Sequence, residues 1–315
     1  MYNNAMKKLK QYSLGFLSLI LLFLLATFIF HRISLEKEQA SLTPMGQQVL
    51  VNGHQINIYV EGDGPETIVV LSGAGIASPI LDFKNVSEFL SKRYKVVIVE
   101  RAGYGYSDDS NHSRDVMEVL YETRQDLSQA NITGQFIILS HSMASLESLA
   151  WQEKFPDEVK VLIGLDWALP SSYEDLKENQ PLLTVAYWST KIGLLCYFPE
   201  SFYLKNPTLT ESERKQYRLL AYKQLMSQAM LNESCLIKEN AKKVPSSINL
   251  KIPTLLLVSN GEGTSFSQSE WQHFAEKFAS DQPNVQVVYM DAPHDLYHYQ
   301  SDEIVSQIED FLKSH

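Results

Sequence analysis

One ten-residue segment constrains this chain more than any other: Phe136-Ile-Ile-Leu-Ser-His-Ser-Met-Ala-Ser145, an apolar strand that runs straight into a tight turn carrying Ser142. An alcohol is a poor nucleophile. A fold that uses one has to hold it on a strained strand-to-helix turn, open to a histidine and to backbone N–H donors. The residues two before and two after such a serine must be small, because chain segments pack together there. Ser140 and Ala144 meet that need, in place of the glycines of the usual G-x-S-x-G pattern. The same serine would also suit a helix N-cap, so the segment has to be read with its surroundings.

Glu66-Thr-Ile-Val-Val-Leu-Ser-Gly-Ala-Gly-Ile-Ala-Ser78 is a short apolar run ending in small residues. That pattern suits a buried parallel strand followed by a loop whose backbone approaches a ligand. The loop is expected to offer the Ala74 N–H to a developing oxyanion. The Met143 N–H, at the start of the helix after the serine, is the expected second donor. Another apolar run, Tyr94-Lys-Val-Val-Ile-Val-Glu100, opens into Arg101-Ala-Gly-Tyr-Gly-Tyr-Ser-Asp108. With neither a G-x-G-x-x-G nor a Walker pattern, these glycines are not expected to cradle phosphate.

Asn284-Val-Gln-Val-Val-Tyr-Met-Asp-Ala-Pro-His294 places a histidine just past a strand end, downstream of the serine. His294 is the expected base and His298 the fallback. The two histidines lack the glutamate of H-E-x-x-H and a third ligand, so no metal site is expected, and no cofactor. The acid has two candidate positions. Ile252-Pro-Thr-Leu-Leu-Leu-Val-Ser259 leads into Asn260-Gly-Glu-Gly263, which makes Glu262 the expected partner of the histidine. Asp166, ending Lys160-Val-Leu-Ile-Gly-Leu-Asp166, is the alternative. Either carboxylate would fix the imidazole tautomer and stabilise the imidazolium formed when the serine loses its proton.

In chain order, four of these motifs resemble those of the α/β-hydrolase superfamily, across roughly residues 47–314. Leu71-Ser-Gly-Ala-Gly is similar to its oxyanion loop and Glu100-Arg-Ala-Gly-Tyr-Gly-Tyr-Ser to its Asp-x-x-Gly-x-Gly-x-Ser turn. Ser140-His-Ser-Met-Ala is similar to its nucleophile elbow and Pro293-His294 to its Gly-His. Ser72 stands where the family has His, Glu100 where it has Asp, and Ser140, Ala144 and Pro293 where it has Gly. The resemblance implies an α/β fold: a mostly parallel central sheet, helices on both faces and a helical cap insert. It implies a serine hydrolase that works through an acyl-enzyme. The elbow carries no aspartate, so the dehalogenase and epoxide-hydrolase chemistries of the same fold are not expected.

Composition agrees: 315 residues with 44% apolar and 20% charged side chains can bury one sizeable core. A net charge of -10 argues against nucleic acid, whose phosphates demand a basic face. Cys196 and Cys235 fall in the same middle insert, and their spacing leaves a disulfide and two thiols equally open.

The N-terminus is a separate element. Leu14 to Phe30 carries no charge, and as a helix it would reach about 25 Å, close to a bilayer's hydrocarbon thickness. Lys7, Lys8 and Lys10 precede it, while Arg32 and Lys37 beyond it are offset by Glu36 and Glu38. The positive-inside bias then keeps the N-terminus cytoplasmic and puts the following domain on the extracytoplasmic side of the cell membrane. The run is long for a signal-peptide core and no small-x-small site follows it, so a retained anchor is expected over a cleaved signal.

Val49 to Val60 reads as a β-hairpin turning at Asn52-Gly53. Helix patterns then cover 78–93, 113–130, 142–155, 267–278 and 302–312. The expected organisation is 1–34 as cytoplasmic tip and transmembrane signal-anchor, 35–46 as linker, 47–169 with 251–315 as core, and 170–250 as helical cap. The insert is rich in aromatics, among them Tyr173, Tyr187, Trp188, Phe198, Phe202 and Tyr217. A few of them are expected to line a pocket for an apolar acyl or alcohol group. The leading expectation is hydrolysis of a small-molecule carboxylic ester. An aminopeptidase resembling the proline iminopeptidases is the second, with Glu174, Asp175, Glu178 and Glu200 available to grip the amine of a short peptide. A non-catalytic surface binding protein on the same fold is the third.

Overall fold

The apolar runs become the strands of one sheet because their alternate side chains have somewhere to go on both faces. The protein was analysed as a computed structural model, which describes residues 2–174, 176, 180–245, 250–280 and 282–315. The strands are β1 (Gln47–Val51), β2 (His54–Glu61), β3 (Thr67–Leu71), β4 (Lys95–Glu100), β5 (Phe136–His141), β6 (Val159–Leu165), β7 (Thr254–Val258) and β8 (Val285–Tyr289), in the order β1-β2-β4-β3-β5-β6-β7-β8. β1 and β2 form the expected hairpin, with positive φ at both Asn52 (51°) and Gly53 (80°) in its turn. β2 runs antiparallel to β4, and every later pairing is parallel.

Helices cover both faces. From β3, Val69 and Leu71 join a core with α4 (Val116–Gln129), α5 (Ala144–Lys154) and α9 (Gln268–Ala279). Ile68 and Val70 point the other way, into a core with α2 (Pro79–Asp82), α3 (Lys84–Leu90) and α10 (Ser301–Lys313). The helix expected over 78–93 is thus two, broken at Phe83, whose ring stacks on Tyr297 with centroids 4.4 Å apart. α4 is capped by Asp115, and α9 opens with a capping box of Ser267 and Glu270.

Between β6 and β7 the chain leaves the sheet to form α6 (Gln180–Ile192), α7 (Glu211–Gln224) and α8 (Gln228–Lys243). Cys196 and Cys235, both half-buried there, are not joined by a disulfide. At the other end, α1 (Tyr2–Gln39) contains one run long and apolar enough to cross a membrane, and it packs against α6 and α7.

A buried ionic cluster ties this insert to the sheet. Glu233 of α8 accepts from Tyr104 Oη at 2.6 Å and from Arg114 Nη2 at 2.9 Å, and lies 3.5 Å from Arg101 Nη2. Arg114 also forks onto both oxygens of Glu122 in α4, at 3.1 Å each. Arg101 reaches Glu147 of α5, which takes a 2.6 Å bond from Thr123. The two glycines of the Arg101–Asp108 turn serve close contact. A Cβ on Gly103 would strike Ser227 and Ala229 of the insert, and one on Gly105 would strike the buried Glu100 carboxylate. Burial pushes the Glu100 carboxyl up to about 7, against hydrogen bonds from Tyr106 N–H, Ile80 N–H and Asn57 that favour its ionised form.

Removing a buried partner leaves an uncompensated charge. Glu233→Ala should therefore cost about 3–5 kcal/mol in urea unfolding, while the exposed Glu239→Ala on the same helix should stay within about 0.5 kcal/mol. Asp126, in α4, is fully buried and neither of its carboxylate oxygens has a hydrogen-bond partner among the described residues. Burial above all, with Glu122 and Glu147 adding to it, pushes its carboxyl up to about 8. Folded above unfolded means that its share of stability is complete in acid and is lost as pH rises towards 8. Asp126→Asn should remove that loss, giving a Tm advantage that grows from pH 5 to pH 8 in thermal melts.

Candidate active site

β5 ends at His141 and the chain reverses through Ser142, whose φ of 54° lies in the left-handed region that side chains rarely adopt. Backbone bonds hold the reversal from both sides. Ser142 N–H donates to Leu165 O at 3.2 Å, and Ser142 O accepts from Ser145 N–H (3.1 Å) and Ala168 N–H (3.2 Å). Ser140 does more than fit a tight space, because its hydroxyl accepts from Ser148 Oγ at 2.7 Å and from the Trp167 indole at 2.8 Å. A Cβ at Gly73 would lie 2.8 Å from His141 Nδ1 and 2.9 Å from Ser142 Cβ. Only glycine lets the loop after β3 come this close to the serine.

His294 stands between serine and acid. Its Nε2 is 2.9 Å from Ser142 Oγ and its Nδ1 is 2.5 Å from Asp166 Oδ2. A carboxylate only accepts, so Nδ1 carries the proton and Nε2 is left to receive one from the serine. Asp166 sits just past the end of β6 with φ 48° and is fully buried. Three more donors converge on it: Ser259 N–H and Ser259 Oγ at 2.7 Å each, and the Trp271 indole at 2.8 Å.

Of the two expected acid positions, this geometry sets Asp166 against His294 Nδ1, and not Glu262. The Asn260-Gly-Glu-Gly263 loop, with φ of 82° at Gly261 and 90° at Gly263, leaves the Glu262 side chain in solvent. Its main chain still serves the site, since Glu262 O accepts from His294 N–H at 2.7 Å. The fallback His298 is also elsewhere: its Nε2 is 3.2 Å from Asp82, whose other oxygen takes the Tyr217 hydroxyl at 2.8 Å.

His141, unremarked in the sequence, is buried beside the serine, its ring centroid 4.7 Å from that of His294. Burial first, and the neighbouring His294 second, depress its pKa to about 3. It is therefore neutral, and its Nε2–H donates to His294 O at 3.1 Å while Nδ1 has no partner among the described residues. That bond braces the loop carrying His294. Of the expected oxyanion donors, Ala74 and Met143 both border the space beside Ser142, and neither N–H is taken by a protein acceptor among the described residues. Ser142 and His294 open onto a cavity of about 400 Å³ with otherwise largely apolar walls, including Tyr173, Leu183 of α6, Ile237 of α8, and Phe266.

No family model matches the chain. Its sequence is 32% identical over 320 residues to the uncharacterized protein YbdG of Bacillus subtilis (strain 168), with 98% of each chain covered. Its backbone is similar to an esterase from Thermogutta terrifontis, with TM-score 0.63 and 17% identity over 85% of this chain and 99% of that one. It is equally similar to an epoxide hydrolase from Vigna radiata, with TM-score 0.63 and 16% identity over 85% of this chain and 97% of the other. With this sheet order and this helical insert the chain has the fold of those hydrolases, and by its likeness over nearly the whole of both chains it belongs to the family of Bacillus subtilis YbdG.

Proposed function

We propose that the protein is a serine hydrolase of carboxylic esters, and the observation that carries this reading is the chain of contacts Ser142 Oγ, His294 and Asp166, at 2.9 and 2.5 Å. His294 Nε2 takes the proton as Ser142 Oγ bonds to the ester carbonyl carbon. The carbonyl oxygen becomes an oxyanion beside the Ala74 and Met143 N–H groups. When the tetrahedral intermediate collapses, the C–O bond to the alcohol breaks and the leaving oxygen takes the proton back from Nε2. Water, deprotonated by the same nitrogen, then releases the acid and restores the serine. Asp166 holds the imidazole and stabilises its charged form throughout.

An ester suits the pocket better than a peptide amine. Among the described residues, no Asp or Glu lines the cavity at Ser142. Of the carboxylates that could grip an amine, Glu200 is held by Arg214 and Arg218, Glu174 is exposed, and Asp175 and Glu178 lie outside the described residues. Segment 170–250 is the cap in this reading, over a core of 47–169 and 251–315. Residues 1–34 are the cytoplasmic tip and transmembrane anchor and 35–46 the linker, which puts the hydrolase domain on the extracytoplasmic side.

A fluorophosphonate probe should label the wild type and fail on Ser142→Ala; labelling of that variant, or none of the wild type, would sink the proposal. In assays with p-nitrophenyl acyl esters, Asp166→Asn should lower turnover by roughly 10⁴-fold. Glu262→Gln should change it by no more than about twofold, as for a surface substitution. The reverse ranking would return the acid to residue 262.

A further inference from the structure

A second cavity, of about 540 Å³, lies on the far side of the oxyanion loop, and Ala74 lines both it and the cavity at Ser142. Its walls are apolar along Leu194, Leu195 and Tyr203, while Asp82, which is paired with His298, and Asp295, which is paired with Lys205, also line it. Its rim carries Phe198 and Phe202, which are 49% and 60% exposed although large and aromatic. A soluble protein seldom leaves such residues clustered at a cavity mouth. Here the cluster continues the apolar surface of α1. Phe23 of α1 packs on Tyr197 with ring centroids 5.6 Å apart, Thr27 Oγ1 hydrogen-bonds the Tyr197 hydroxyl at 3.1 Å, and a Cβ on Gly193 would strike His31.

These contacts set a depth. Phe23 lies about 10 Å inside the Phe30 end of the apolar run, at ~1.5 Å per helical residue. Tyr197 is therefore carried below the level at which the helix leaves the hydrocarbon, and its neighbours Phe198 and Phe202 stand at the same end of the insert. Insertion of about 5–10 Å is what an interfacial apolar element achieves. The Thr27–Tyr197 bond fits the location, since polar groups there must satisfy each other when water is absent.

Resting on the anchor and the ester-hydrolase readings above, we propose that the Tyr197–Phe202 face of the cap is seated in the extracytoplasmic leaflet of the membrane that the chain's own helix spans, and that the second cavity admits a lipid acyl ester from that leaflet. The acyl chain enters past the packed pair Phe198 and Phe202, whose ring centroids are 5.1 Å apart. In this proposal the ester carbonyl passes Ala74, the residue that borders both cavities, to come within reach of Ser142. The rest of the molecule occupies the cavity at Ser142. A small water-soluble ester needs none of this path.

The test uses the full chain reconstituted in phosphatidylcholine vesicles. Of its four tryptophans only Trp188 is exposed (57%), so a Trp188→Phe parent is nearly blind to lipid, and Phe198→Trp in that background reports on the rim. Brominated phosphatidylcholine should quench the added tryptophan clearly more than the parent. Carbonate extraction of the chain would sink the anchor and the docking together, whereas retention without extra quenching sinks the docking alone. For substrate entry, the kcat/KM ratio of a vesicle-borne long-chain acyl ester to soluble p-nitrophenyl butyrate is compared between wild type and Phe198→Ser/Phe202→Ser. The ratio should fall by about tenfold or more, the order expected when aromatic side chains lose apolar surroundings. An equal fall in both rates overturns the lipid path. Turnover of neither ester by the wild type overturns the hydrolase reading, and the lipid substrate with it, while the quenching still decides the docking.

Discussion

The site hangs on one buried carboxylate. Asp166 gathers donors from three later parts of the chain: Ser259 after β7, Trp271 on α9, and His294 after β8. Unpaired, such a charge would be costly in a fully buried place. Paired with all of them, it draws the ends of separate strands to one point and gives the histidine ring a single orientation. The left-handed φ at Asp166 and at Ser142 mark the same edge of the sheet as the place where backbone is held in unfavourable geometry by what surrounds it.

Much of this was legible in the residues. Apolar runs ending in small residues located β3, β5 and the elbow, and chain order alone put His294 with Ser142. Which carboxylate would face His294 was not legible, because Glu262 and Asp166 both follow strands and both sit in the right register for a loop carboxylate. What separates them is the direction in which a glycine-rich loop turns its side chain, and that follows from positive φ at Gly261 and Gly263, which no spacing reveals. The break at Phe83 escaped for a similar reason. A continuous helical pattern ran through 78–93, and only the tertiary stack on Tyr297 shows why it stops.

His141 illustrates the opposite case, a residue whose type suggests chemistry and whose setting removes it. Burial and the nearby His294 keep its ring neutral, so that two imidazoles lie side by side without mutual charge repulsion. The elbow's substitutions have a like explanation. Ser140, in place of glycine, gives the Trp167 indole an acceptor, so the exchange brings its own compensating hydrogen bond.

The Glu233 contacts carry a consequence for how this architecture can change. Arg101 and Arg114 belong to the core, yet the carboxylate between them is supplied by α8 of the insert. Exchanging this insert for another of the same fold would leave two buried guanidinium groups with only Glu122 and Glu147 of the core between them, unless the newcomer brought an acid to the same helical position. The insert is therefore not an interchangeable module: its sequence is free to drift over the pocket, and bound to the core where Glu233 meets the two buried arginines.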